Sequence, residues 1–400
     1  MLLALLATLP GVAHAQLTVR LAGVGGWQYN SNVYAVQSGF PVPGTNDFHY
    51  SDTYYSYGGQ LALSESYSQQ NWFVNAGATR FVYDHFTQLT HNENTIDGGW
   101  NWKIGNDWDG RIEVLHARTM VAFTEIIQLE IAFATEQRET AVVGYQLMPE
   151  WRLEASGYTR RLDEPLFLEP NLQLKESSGT LALTYSGASA LASGIAGSYS
   201  HGSYTGVSAS PEAIPFFSYD QKSISLTASY KPSTTTGLGI SGVSTFDGAV
   251  GWSDRSSPSD ASNISGLTGH LDYTNQLTGK TSARLAVDRA INSYLTNAAS
   301  EIDTSVALSA SWQATYRIAV TPAYTWLYRF LPLQGSTPGT DRRDHLQYAA
   351  LTVEYVPRPW LTIRPYFNFQ TRSSNFYGGN FNATVYGVNV TVAWQHPPPT

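Results

Sequence analysis

Residues 360–394 read WLTIRPYFNFQTRSSNFYGGNFNATVYGVNVTVAW, and the alternation in this stretch decides the fold. In its second half Tyr386, Val388, Val390, Val392 and Trp394 alternate with Gly387, Asn389, Thr391 and Ala393. A strand turns successive side chains to opposite faces, so a period of two gathers every apolar group on one face and leaves the other small and polar. In the first half Leu361, Ile363, Phe367 and Phe369 stand against Thr362, Arg364, Tyr366 and Asn368, after the turn residues Pro357, Arg358 and Pro359. A hairpin of this kind cannot bury its apolar face by itself. A closed barrel with lipid outside and water inside suits both faces and satisfies every backbone group.

The composition agrees. Charged residues make up 14% of the 400, aromatics 13%, and the mean hydropathy is −0.22, which fits strands half in lipid and half in water rather than ordinary globular cores. There is no cysteine, hence neither a disulfide framework nor a thiolate metal site. The formal net charge of −8 offers no basic surface for nucleic acid. Residues 1–15 form an apolar run closing on Ala13, His14 and Ala15, the pattern of a secretory signal cleaved before Gln16, though without the usual positive start. No later run approaches the roughly 18 apolar residues of a spanning helix. The expected organisation is a signal peptide over 1–15, one outer-membrane barrel domain over 16–396 and a short tail over 397–400.

Upstream of the opening hairpin the same unit recurs. Alternating segments are joined in turn by long Asn/Gly/Pro-rich connections such as 30–50 and by tight turns such as Gly105, Asn106 and Asp107. The count predicts an all-β, transmembrane, antiparallel up-and-down barrel of about 18 strands, with 16 the alternative, having short periplasmic turns and long extracellular loops. A further short turn is expected at Pro232 to Thr234, followed by a strand over 235–247. Trp72, Trp102, Trp108, Trp151, Trp312, Trp360 and Trp394 all lie near short turns or the C-terminus, as an aromatic girdle at the periplasmic rim would require. Tyr83, Tyr158, Tyr199, Trp326, Tyr328 and Tyr377 lie near long loops and are expected at the opposite rim.

With Leu and Val marking the lipid face, the opposite parity carries Arg111 with Glu113, Arg152 with Glu154 and Arg160, Arg284 with Asp288, and Arg364 with Arg372. An arginine at the bilayer midplane costs about 2–4 kcal/mol, so these charges should line the lumen. The plainer reading makes them paired ladders filling a watery interior. The functional one has the arginines conduct an anionic solute by distributed weak attraction. Other motifs lead nowhere. Gly237, Gly239 and Gly242 fit a dinucleotide-loop spacing, but in a β-alternating segment with no helix to follow. Gly279, Lys280 and Thr281 resemble the end of a phosphate loop whose first glycine is replaced by Thr274. His85, His91 and Glu93 share one loop region of a kind more often solvated than metal-bound. No nucleophile elbow or catalytic triad is found, so the chain is expected to be no enzyme and to need no cofactor. The apolar run over 125–133 is expected to extend strands above the membrane rather than to fold inward.

One resemblance adds an expectation. Tyr29 to Tyr34 (YNSNVY), Ser51 to Thr53 (SDT), Asn71 to Phe73 with Tyr83 to Phe86, Asp97 to Trp102 (DGGWNW) and Gly105 with Asn106 resemble the exopolysaccharide-operon outer-membrane barrel family, also called β-barrel porin type 2. The resemblance covers about the first third of the chain. It implies a pore that exports an exopolysaccharide, with the polysaccharide as substrate and with a periplasmic polysaccharide-export protein and inner-membrane synthesis machinery as partners. The runner-up is a general diffusion or uptake porin for small solutes, which an inward-folded constriction would favour. A third possibility is a non-conducting barrel acting as receptor or scaffold.

Overall fold

The computed structural model describes residues 16–42, 45–124, 131–163, 173–187, 190–205, 218–231, 243–257, 263–294, 299–332 and 341–396. Eighteen strands follow one another: β1 (Gln16–Asn30), β2 (Asp52–Tyr67), β3 (Gln70–Tyr83), β4 (His91–Ile104), β5 (Trp108–Met120), β6 (Phe133–Met148), β7 (Trp151–Asp163), β8 (Gln173–Ser186) and β9 (Leu191–Thr205). The second half continues with β10 (Ser218–Tyr230), β11 (Val243–Ser256), β12 (Ile264–Thr278), β13 (Thr281–Tyr294), β14 (Ala299–Thr315), β15 (Ile318–Leu331), β16 (Arg342–Arg358), β17 (Leu361–Ser374) and β18 (Phe381–His396). Each is antiparallel to the next, and β18 returns to β1 in register from Val19 opposite His396 to Asn30 opposite Val385. Closure leaves no strand edge unpaired.

Cross-strand partners share a face, so the register assigns every side chain to the inside or the outside. The outer face carries exposed apolar groups on every part of the circumference, among them Leu21, Ile112, Leu181, Leu226, Trp252, Leu308 and Phe367. The inner face is rich in Ser, Thr, Asn, Gln and charge. Turns at one rim are tight: Ser68 and Gly105 take positive φ in the β2–β3 and β4–β5 turns, at +54° and +62°, and Gly105 is the residue type suited to it. Connections at the other rim are long, as in the twenty-one residues between Asn30 and Asp52.

One expected boundary is displaced. The strand predicted over 235–247 is observed as β11 at Val243–Ser256, placing Phe246, Val250 and Trp252 outward against Tyr230, Leu226 and Ile224 of β10. The glycines at 237, 239 and 242 dilute the local alternation, and the bulky outward groups further on set the register instead. The Gly237 motif itself lies outside the described residues, as do residues 1–15, 397–400 and most of the 125–133 run.

Candidate functional site

The inner face of the barrel and its long-loop mouth hold the chemistry. Every charged residue singled out in the sequence falls on the parity opposite the exposed apolar side chains, but the pairing differs from sequence neighbourhood. Arg111 does pair with Glu113. Arg152 is held bidentately by Asp109 of β5, at 2.6 and 2.9 Å, and reaches Glu154 at 3.3 Å. Arg160 bonds Glu136 of β6 at 2.9 Å and lies 3.9 Å from Glu176 of β8. Arg284 pairs with Asp272 of β12 rather than with Asp288, which stands opposite His270. Arg364 pairs with Glu354 of β16. The reason for the difference is geometric: Asp288 lies four residues along the strand from Arg284, about 13 Å away, whereas Asp272 and Glu136 lie diagonally across a ladder from their arginines, and Arg152 reaches Asp109 by passing over Gly144 of the strand between. These pairs are spread over β5, β7, β13 and β17 and do not converge on one point.

Arg372 has another task. It is 3% exposed and donates to the carbonyls of Gly379 and Thr124, the latter at 2.6 Å. This ties the β5–β6 connection to β17 across the inner side of β1. From β1 to β2 the chain also folds inward. Asn32 accepts from the Val36 amide at 3.0 Å and donates to the carbonyls of Val36 and Asn382. Asp52 receives the amides of His85 and Phe86 at 2.9 and 2.8 Å, fixing the β3–β4 connection beside it. Tyr34 then packs edge-on to Phe86 at 5.0 Å and against Phe123 at 4.6 Å, and burial pushes its phenol above the usual range. One apolar cluster results, joining these connections to inward side chains of the wall: Tyr83, Leu162, Leu174, Tyr204, Tyr219 and Phe381. Tyr83 and Tyr158, expected at an outer rim, therefore face inward; Tyr158 donates to Glu176 at 2.7 Å. The expectation that the 125–133 run merely extends strands is not met by its described flanks, since Phe123 and Ala132 are buried in this cluster.

The opposite side of the mouth is filled by the β13–β14 tip. The β12–β13 ladder stops at Gly269 opposite Arg289, although β12 continues upward paired to β11 as far as Ile264. Above that point β13 leaves the wall. Arg289 takes the Leu267 carbonyl with its Nε at 3.0 Å and Thr304 Oγ1 with its guanidinium at 2.6 Å, covering the fork where the strands part. The freed tip is gripped from β11: Arg255 Nη1 donates to the Asn292 carbonyl and Ser293 Oγ, both at 2.9 Å, Nη2 to the Ile291 carbonyl at 3.4 Å, and Nε to Gln221 at 2.8 Å. Arg255 is 4% exposed and lies 4.0 Å over the Tyr219 ring. At the base of the tip Arg329 of β15 meets Glu301 at 3.0 Å and Asp303 at 3.2 Å, all three nearly buried.

Between tip and wall lies a cavity of about 510 Å³ whose polar lining includes Tyr158, Arg160, Glu176, Gln221, Arg255 and Glu301. A second, of about 500 Å³, shares Ser198, Gln221 and Ile291 with it and continues along the wall over Thr180, Ser223, Ser225, Thr227, Ser253 and Thr268. Arg255, Glu301 and Arg329 were missed in the sequence; parity against Trp252 and Leu308 was the signal that places Arg255 and Glu301 inside. Among the described residues no group of three His, Asp or Glu side chains is arranged to hold a metal; His91 is buried with its Nδ1 2.6 Å from the Leu89 carbonyl. Of the eleven tryptophans, the seven expected at the periplasmic rim lie in or within a few residues of short connections or the C-terminus, all exposed except the half-buried Trp102. Trp72 stacks on Trp100 at 4.7 Å.

No family model matches the chain, and no curated protein matches it. Solved structures do. Pseudomonas aeruginosa OccK2 (OpdF) is similar over 96% of this chain and 99% of its own, with 9% identity and a TM-score of 0.52. The same protein in complex with glucuronate gives 94% and 98%, 9% identity and 0.51. Acinetobacter baumannii OccAB2 gives 95% and 98%, 9% identity and 0.50. The chain thus has the fold of these closed, 18-stranded outer-membrane barrels. The exopolysaccharide-export reading is corrected by the same findings: likeness spans the whole length of these barrels, one of them in complex with glucuronate, a single sugar acid and not a polymer. The export partners fall with it. Of the N-terminal motifs behind it, Asn32, Tyr34, Asp52 and Phe86 serve the inward-folded connections and Gly105 a tight turn.

Proposed function

We propose that this barrel is a selective porin that admits small hydroxylated acids across the outer membrane by diffusion. The observation that carries this reading is the β13–β14 tip folded into the mouth and latched by Arg255, which leaves spaces of small-molecule size against the wall. A polymer would need a wide continuous lumen, whereas about 500 Å³ accommodates a monosaccharide or small acid. At the upper space Arg160 and Arg255 stand among Glu176 and Glu301 as donors for a carboxylate, and the row of Ser and Thr hydroxyls along the lower one offers exchangeable hydrogen bonds of moderate strength. Glucuronate, the molecule in the OccK2 complex, combines both chemistries. Arg111 with Glu113, Arg152 with Asp109 and Glu154, Arg284 with Asp272 and Arg364 with Glu354 line the remainder of the route, each arginine partly neutralised by its carboxylate so that it attracts an anion without trapping it, while Asp288 borders the lower space. The seven tryptophans anchor the periplasmic rim.

Planar-bilayer recording of the purified protein tests the reading. Small conductance steps that glucuronate interrupts, with interruptions shortened about tenfold by Arg160→Ala, support it. Large steps indifferent to glucuronate would overturn it.

A further inference from the structure

We propose that the outer face of β1–β5 carries a specific site for a phosphorylated lipid of the outer leaflet, the lipid A type, with its acyl chains in a groove and its phosphates on Arg80 and Arg118. The groove, of about 1220 Å³, crosses the lipid-facing side of these strands. Gly23, Gly59, Ala76 and Ala78 form its floor, and Leu61 and Trp394 stand at its lower rim. The barrel itself does not require the two glycines. A Cβ built on Gly23 meets nothing within 4 Å, one on Gly59 meets only the Ala22 carbonyl oxygen at 3.9 Å, and neither residue has positive φ. Their smallness leaves backbone bare to the membrane where neighbouring strands present Leu, Ile and aromatic groups.

The upper end of the groove is polar on the outward face. Asn94 and His116 line it, and the row above holds Arg80 opposite Asn92 and Tyr57, with Arg118 opposite Asn94. Arg80 reaches Asn92 Oδ1 at 3.4 Å; Arg118 reaches the Asn92 carbonyl at 3.2 Å and lies 3.7 Å over the Phe133 ring. Among the described residues neither has an ion pair, and the outer face of β1–β5 holds one carboxylate, Glu65, at the far rim. Two cations at the level of the outward Tyr55 and Tyr57, facing lipid without counter-charge, are complementary to lipid phosphates at headgroup depth. A second copy of this chain would bring arginine against arginine, so a lipid is the occupant that the charges favour.

Native mass spectrometry of the full-length protein in detergent, titrated with bis-phosphorylated lipid A, tests the site. The expected result is saturable binding of one lipid, weakened about tenfold in Arg80→Ala/Arg118→Ala and in Gly23→Leu/Gly59→Leu, with dephosphorylated lipid A binding as weakly as the arginine variant. Retention of the compact, heat-modifiable band in electrophoresis shows that each variant is folded; both pairs point away from the lumen, so glucuronate interruption of the current is unchanged. Equal binding by all variants, equal binding of dephosphorylated lipid, or a dimer whose abundance falls with the leucine variant would each overturn the proposal.

Discussion

Arg255 is one side chain doing the work of a strand pair. Where β13 leaves β12, main-chain carbonyls near the mouth lose their ladder partners, and a buried carbonyl left unpaired costs about 1–3 kcal/mol. The guanidinium supplies those donors from two strands away. Arg255→Ala is therefore expected to release the tip, raising single-channel conductance at least about twofold while the barrel stays folded; an unchanged step size would show that the tip is held elsewhere. Arg329 differs in kind. It neutralises Glu301 and Asp303 where the tip meets the wall, and removing one member of a buried pair costs about 3–5 kcal/mol because the other charges stay behind. Arg329→Ala should thus lower the thermal midpoint, measured by the loss of the heat-modifiable band, by several degrees more than Arg284→Ala, whose partner Asp272 faces a more open interior.

At the scale of the strand, the two faces impose opposite demands on neighbouring residues. Ile224 is 58% exposed on the outer face of β10, while Ser225, next to it, faces inward. Ile224→Arg is expected to cost about 2–4 kcal/mol in urea unfolding from lipid vesicles, and Ser225→Arg under 1 kcal/mol. The same alternation made the strands legible in the sequence. Outward Val388, Val390 and Val392 leave one possible register, since a slip by one would turn Asn389 and Thr391 to lipid. The end of the strand expected at Asp247 was misplaced because three glycines within residues 237–242 carry no face at all, while the turn expected at Pro232 to Thr234 lies outside the described residues. The alternation expresses a strand leaving the wall only faintly: in β13 Arg289 stands on the parity of Leu285 and Val287, the ladder to β12 ends at that residue, and Arg255 reaches Ile291 and Asn292 above it. The charge pairs were partly legible for a related reason. Sequence shows which face Arg284 occupies but not that Asp272, across the ladder, lies nearer than Asp288 on the same strand.

For the molecule as a whole, closure matters more than any single contact. The β1–β18 seam joins the two ends of the described chain, so a fault there opens a sheet that is otherwise without edges. At Gly387 an added Cβ would collide with the Trp27 carbonyl oxygen across that seam. Gly387→Val should abolish the compact electrophoretic form, whereas Gly23→Val, in open space beside the same seam, should keep it; loss of both would mean that the collision at Gly387 is not what sets the tolerance of the seam. Within the closed wall the latch on the β13–β14 tip takes hold mainly of main-chain oxygens, those of Ile291 and Asn292. Main-chain oxygens are common to all residues. Mutation can therefore rewrite the side chains at the tip while the grip that positions them persists, so the lining of the mouth is free to vary around a fixed frame.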